Sequence, residues 1–263
     1  MVYVAKNLTF AVQQVKILNN VSIHIQEREF VGIIGPNGSG KSTLLKNMYR
    51  MLQPQEGEVF LFNENIYKQS SKVVAKQLAV VGQETPVLFE FTVKDLVAMG
   101  RTPHKRLMEV DTKEDLIIVE ESMKQAGVLH LSERTFSSLS GGEKKRVIVA
   151  RALAQQAKVM ALDEPTNHLD IQHQLQLMDL IQSLPITVIV ALHDLNIAAT
   201  YCDKIYVLKD GEIVAYGTPF DVLTPSLLQE VFGVHAEVSV HPVTKKPHIY
   251  YISEQFLLLV KES

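Results

Sequence analysis

Apolar residues follow two rhythms along this chain. Over 2–10, 21–25 and 58–62 they form short β-like runs separated by turn residues, which predicts antiparallel strands near the start. Set among them, 30–34 is apolar throughout, as a buried strand is, and it leads through a glycine-rich loop into a helix predicted over 42–51. Between 92 and 157 the spacing changes to three and four residues, in Val93, Leu96 and Val97, in Leu116, Val119 and Met123, and in Val147, Ala150 and Leu153. That is the spacing of one helix face and predicts a mostly helical insert. Two further apolar runs, 159–162 and 186–192, each end in polar or acidic residues and are separated from the next strand by helix-like segments, so parallel βα units return. The tail predicts two hairpins, 205–208 against 213–216 through Asp210-Gly211, and 238–240 against 249–252 through a turn at 242–247. The fold class is therefore α/β, with a parallel sheet, an N-terminal antiparallel β subdomain and a helical insert.

Composition narrows the functional classes. A chain of 263 residues with 46% apolar and 21% charged side chains folds around a core, which excludes disorder as the main state. Its 26 basic residues against 29 acidic ones argue against a nucleic-acid partner, which calls for a basic excess. The longest apolar stretches, 186–192 and 256–260, fall far short of the roughly 20 residues that span a bilayer. The opening MVYVAKNLTF lacks the basic head and long apolar run of a secretion signal, and the single cysteine, Cys202, has no partner for an intrachain disulfide. A cytosolic chain is expected.

The loop after 30–34 reads Gly35, Pro36, Asn37, Gly38, Ser39, Gly40, Lys41, Ser42, Thr43. It satisfies G-x-x-x-x-G-K-[ST], in which backbone N–H groups surround phosphate oxygens, the lysine reaches the β and γ phosphates and the hydroxyl of Ser42 ligates Mg²⁺. Run 159–162 ends in Asp163 and Glu164, two carboxylates at the carboxyl edge of a buried strand, where open α/β sheets bind ligands. Asp163 is the candidate Mg²⁺ partner, and Glu164 the candidate base polarising water for attack on the γ-phosphate. A third element, Leu139-Ser140-Gly141-Gly142-Glu143, opens a helix that Ser140 can cap, with the Gly141 and Gly142 amides turned toward an anion. A second phosphate-reading helix end in one chain has a use if it serves a neighbouring copy.

In this order and spacing, GPNGSGKST, LSGGE, VMALDEP, NHLD and ALHDLNIA resemble the ATP-binding subunit of ABC transporters over essentially the whole chain. The resemblance implies a P-loop NTPase fold and a single ABC ATPase domain over 1–263. Within it, 1–84 and 158–263 form the nucleotide-binding core with the β subdomain and C-terminal hairpins, and 85–157 form the helical signature subdomain. It implies ATP hydrolysis with Mg²⁺. Ser140, Gly141, Gly142 and Glu143 would close on the γ-phosphate bound by a second copy in a head-to-tail sandwich, with 167–170, Asp170 included, lining the seam. Gln83 would reach Mg²⁺ and the attacking water, and His193 would contact the γ-phosphate beside Glu164. A membrane permease would seat a short helix near 83–90, where Val87, Leu88 and Phe89 supply an apolar pocket. The chain would then work at the cytoplasmic face of the membrane as a peripheral subunit, with an extracytoplasmic substrate-binding protein taking part indirectly.

TVKDLVAMGRTPHK, EPTNHLD and LHDLNIA are similar to the subfamily that energises uptake of iron chelates, haem and vitamin B12. The alternative is a soluble, non-transport ABC ATPase acting on ribosomes or DNA. Translation-type members usually carry two cassettes, and chromosome-type members separate the two glycine motifs by long coiled coils, whereas here fewer than about a hundred residues without heptads lie between them. The chain departs from many relatives in carrying Val12 where an aromatic stacks on adenine, so base stacking would be weaker or supplied by another residue such as Phe10. Lys144, Lys145 and Arg146 read as a solvated basic helix face, and His235, His241 and His248 as exposed hairpin residues.

Overall fold

The structure, a computed structural model, describes residues 1–82, 90–106 and 109–256. It consists of two compact units, Met1–Phe60 with Val190–Ser263, and Leu61–Ile189.

The first unit opens with β1 (Tyr3–Val12) and β2 (Val15–Ile25), an antiparallel pair in which Tyr3 faces Ile25 and Val12 faces Val15. Their tight turn places Gln13 and Gln14 at φ 47° and 70°, the left-handed pair that a two-residue hairpin requires. The second strand starts well before the predicted 21–25, because the polar Lys16, Asn19 and Asn20 hide its alternation. β3 (Phe30–Ile34) is buried along its whole length. α1 (Lys41–Met48) buries Leu44, Leu45 and Met48, and the Tyr3 hydroxyl donates to the Met48 carbonyl. The helix stops short of the predicted residue 51. Arg50 turns left-handed (φ 69°), its N–H donates to the Asn47 carbonyl, and the Met51 N–H donates to the Lys46 carbonyl at 2.8 Å, the paired bonds that close a helix end. β4 (Glu56–Leu61) lies on the far side of β1, giving the order β2-β1-β4.

The second unit continues through β5 (Glu64–Asn65), α2 (Ser71–Ala75) and β6 (Leu78–Val81). The helical insert follows, as the spacing predicts, in α3 (Val93–Ala98), α4 (Lys113–Gln125) and α5 (Gly141–Ala154). Each begins with the same reciprocal cap, Thr92 with Asp95, Thr112 with Asp115, and Ser140 with Glu143. Leu116 was expected on the buried face of α4 but is exposed. The buried stripe runs through Asp115, Ile118, Val119, Ser122 and Met123, and Leu116 stands about 100° of turn past Asp115. Arg101 joins the insert internally. Its Nε donates to Asp115 Oδ1 at 2.8 Å, and its Nη1 to the Ala154 carbonyl and Gln156 Oε1, both at 2.9 Å. β7 (Val159–Asp163) is wholly buried and runs parallel to β6, with Val159 opposite Leu78. α6 (Ile171–Gln182) buries Leu177, Met178 and Ile181.

β8 (Thr187–Ala191) carries the chain back to the first unit. The Thr187 N–H donates to the Lys158 carbonyl at one end, and the Leu192 N–H to the Ile33 carbonyl just past the other. α7 (Leu195–Tyr201) follows, then β9 (Lys204–Lys209), parallel to β3, and β10 (Glu212–Gly217), antiparallel to β9 through the predicted Asp210-Gly211 turn. Short helices α8 (Pro219–Val222) and α9 (Pro225–Leu227) lead to the second predicted hairpin, β11 (His235–Val240) with β12 (Pro247–Ile252). Its three histidines are half-buried, and His241 Nδ1 accepts from the Val243 and Thr244 N–H groups. Asn196 of α7 pins β12, donating to the Ile249 carbonyl and accepting from its N–H. Cys202 is fully buried after α7, and burial pushes its thiol far up from its ordinary value. Among the described residues no helix is long and apolar enough to cross a membrane.

Candidate functional site

In the first unit the chain leaves buried β3 at Gly35 and enters α1 at Lys41, so the intervening loop hangs from two fixed points. Gly40 caps α1 at φ 104°, and a Cβ there would lie 2.8 Å from the Ile17 carbonyl oxygen, so only glycine fits. No side chain caps α1, which leaves its first turn with the donors that a helix N-terminus presents. Lys41 is buried, and its Nζ donates to the Gly35 carbonyl at 2.8 Å and the Pro36 carbonyl at 3.1 Å, curling the loop around its own ammonium. Ser39 Oγ is buried without a hydrogen-bond partner among the described residues. A glycine loop before a helix start that no side chain caps, with a buried cation and an unsatisfied hydroxyl, fits a polyphosphate. Pro36, Asn37, Gly38, Ser42 and Thr43 complete it, with Asn37 and Gly38 exposed. His193 lies in this unit too, exposed just after β8, and the next residue, Asp194, caps α7 by accepting from the Asn196 and Ile197 N–H groups.

In the second unit Asp163 ends β7 at 2% exposure and Glu164 follows at 6%. Glu164 holds a left-handed backbone (φ 52°), as does His168 (φ 63°), an arrangement that costs energy in residues other than glycine and collects at functional sites. The resulting tight turn brings Asn167 Nδ2 to 2.6 Å from Glu164 Oε2. Asp170 caps α6 through the His173 N–H, and the His173 ring returns to the same carboxylate. At the head of α5, Ser140 Oγ accepts from the Glu143 N–H, while Glu143 Oε2 accepts from the Ser140 N–H and hydroxyl at 2.8 Å each. The Ser140 N–H, followed by its hydroxyl, holds the Glu143 carboxyl below its ordinary value. The carboxylate is thus committed to the cap. Gly141 is exposed and Gly142 is buried.

This unit therefore joins the predicted Asp163 and Glu164 at one strand end, and Ser140 with Glu143 at one helix end. Gln83 and most of the expected permease seat, Val87, Leu88 and Phe89 included, lie outside the described residues. Asn167, expected at the seam, sits on Glu164, and His173, which motif reading passed over, sits on Asp170. The only trace of the second in the sequence is a histidine three places after a capping aspartate. Val12 is exposed at the β1/β2 turn, and Phe10 is half-buried. The basic trio is half-buried rather than fully solvated: Lys144 Nζ stands 5.9 Å over the Phe136 ring and Arg146 bonds Gln176.

A glycine loop between a buried strand and a helix, with an acidic strand end and a capped Ser-Gly-Gly helix start, defines a nucleotide-binding cassette. The ABC transporter family profile matches residues 18–167. The chain is 40% identical over 233 residues, 87% of its length, to the cobalamin import ATP-binding protein BtuD of Halobacterium salinarum, and that match spans 58% of the longer relative. It is 37% identical over 246 residues to the ferric enterobactin transport ATP-binding protein FepC of Escherichia coli, covering 92% of this chain and 91% of FepC. The dimeric post-hydrolysis state of the ATP-binding cassette MJ0796, bound to ADP and Pi, superposes with a TM-score of 0.72 at 30% identity, covering 82% of this chain and 98% of that one. The chain belongs to the ABC transporter family.

Proposed function

We propose that this chain is the ATP-hydrolysing, nucleotide-binding subunit of a multisubunit ABC importer. It would energise uptake of a metal chelate such as an iron siderophore, haem or cobalamin through a separate membrane permease. The observation that carries the reading is the match to importer ATP-binding proteins across nearly the full length of FepC, in a chain whose Lys41 loop is built for a polyphosphate.

On this reading Gly35, Pro36, Asn37, Gly38, Ser39, Gly40, Lys41, Ser42 and Thr43 hold the triphosphate. Ser42, Asp163 and Gln83 hold Mg²⁺, which when bound neutralises charge on the β and γ phosphates. Glu164 takes the proton of the attacking water, and Asn167 fixes its carboxylate. His193 orients the γ-phosphate. Ser140, Gly141, Gly142 and Glu143, with Asp170, complete the pocket of a second copy in a head-to-tail pair, and residues 85–157 act as the signature subdomain. Several charge-assisted hydrogen bonds form together only when the pair is closed, so binding ATP closes it and hydrolysis reopens it. The permease docks near 83–90 from the membrane side, which makes the chain peripheral at the cytoplasmic face, and an extracytoplasmic binding protein delivers the cargo without touching it.

The test is ATP turnover by the purified chain with Mg²⁺, together with the membrane proteins that co-purify with it. Lys41→Ala is expected to weaken ATP binding by about 10- to 100-fold, since it removes a charge-assisted contact from the triphosphate. An unchanged ATP dissociation constant would contradict the cradle. Co-purification with ribosomes or DNA in place of a permease would favour the soluble alternative.

A further inference from the structure

The inference rests on the shared-pocket reading and deepens it. Asp170 Oδ1 accepts from the His173 backbone N–H at 2.9 Å, as a helix cap does. The ring then adds a second hold, with Nδ1 2.8 Å from each carboxylate oxygen. A carboxylate only accepts, so Nδ1 carries the proton. Held this way, the ring covers the backbone of Gly142, the second residue of α5. A Cβ on Gly142 would meet His173 Cδ2 at 2.6 Å, Cγ at 2.9 Å and Nε2 at 3.2 Å. One turn further along both helices, Arg146 Nη1 donates to Gln176 Oε1 at 2.9 Å.

As a stabilising device this pair is poor. The Asp170 and His173 side chains are 66% and 34% exposed, where ion pairs contribute little. What the pair does fix is the position of 167–170 relative to the Ser140-Gly141-Gly142 turn, the two segments turned toward the second copy. We propose that His173 is a positioning residue: by bonding Asp170 and covering Gly142 it joins both segments into one surface, so that nucleotide held by the other copy meets them together.

The test uses the full chain carrying Glu164→Gln, which should let closed dimers accumulate, with the ATP-dependent dimer dissociation constant measured by sedimentation. His173→Leu keeps bulk and loses the donor. His173→Asn places an amide N–H where Nδ1 stands. His173→Leu is expected to weaken dimerisation about tenfold, the loss of one hydrogen bond to a charged group, and His173→Asn to restore it to within about threefold. ATP affinity at protein concentrations too low for pairing should stay unchanged in both. Equal dimerisation by His173→Leu and its parent overturns the proposal, as does a parallel loss of ATP affinity, which would mark general damage. If the parent forms no ATP-dependent dimer at all, the shared-pocket reading fails and this proposal falls with it.

Discussion

Glu164, the first residue past β7, is held in place by the turn that follows it. Its backbone is left-handed, and Asn167 donates to its carboxylate from three residues away. Glu164→Gln keeps the shape and the polar contact but cannot take a proton. It is expected to bind ATP within about threefold of the parent while turnover falls about 10²- to 10⁴-fold, the usual contribution of a positioned base. Steady-state hydrolysis beside equilibrium ATP binding checks this, and turnover at the parental rate would remove Glu164 from the role. The residues from Gly35 to Thr43, with Asp163 and Glu164, were legible because their spacing itself encodes a mechanism. Asn167 was legible as part of the seam segment but not as the partner of Glu164, and His173 was not legible, because the left-handed Glu164 that shapes the first contact and the helix-cap geometry that sets the second leave no mark in hydrophobic pattern or motif.

At the scale of elements, legibility followed how much of each element is buried. β3 and β7, covered on all sides, are visible as uninterrupted apolar runs. The first half of β2 carries exposed and half-exposed polar residues and was invisible, and the end of α1 is set by Arg50, a residue type that seldom announces a left-handed stop. Within the insert, Arg101 ties the cap of α4 to the last turn of α5. The side-chain hydrogen bond from Arg101 is the main cause holding the Asp115 carboxyl far below the usual carboxylate range. Arg101→Met would strand that carboxylate in a buried site and is expected to cost about 3–5 kcal/mol, read from urea midpoints at pH 7. Asp115 has its folded pKa depressed, so its stabilising contribution is fully present above the unfolded carboxyl value of about 4 and is lost as pH falls below it. The gap between parent and Arg101→Met should therefore narrow from pH 7 to pH 3. A gap of constant size would mean that the ion pair does not carry the effect.

For the molecule as a whole, the division into two units had no counterpart in composition. The chain passes between them within β4 and β8, both strands, so no Gly- or Pro-rich linker marks either crossing. What the sequence contributes at this scale is the expectation of a second copy, because a second helix start fit for an anion has a use if it serves a neighbour. Ser140→Arg puts a long cation where the mate's triphosphate would sit. It is expected to abolish hydrolysis at concentrations that support pairing, while ATP binding by the dilute monomer stays within about twofold, because the cradle around Lys41 belongs to the same copy. Normal hydrolysis by this variant, measured across a protein-concentration series, would mean that each chain works alone.

Cys202 has a practical bearing on all of these measurements. Its sulfur is fully buried just after α7, and a Cβ on Gly32 would come within 2.6 Å of it. A thiol so enclosed and so reluctant to ionise does not compete for maleimides or oxidants. The natural chain thus offers a chemically silent background, in which a cysteine introduced at Ser140 or in the glycine loop becomes the sole reporter and can trap two copies as they meet.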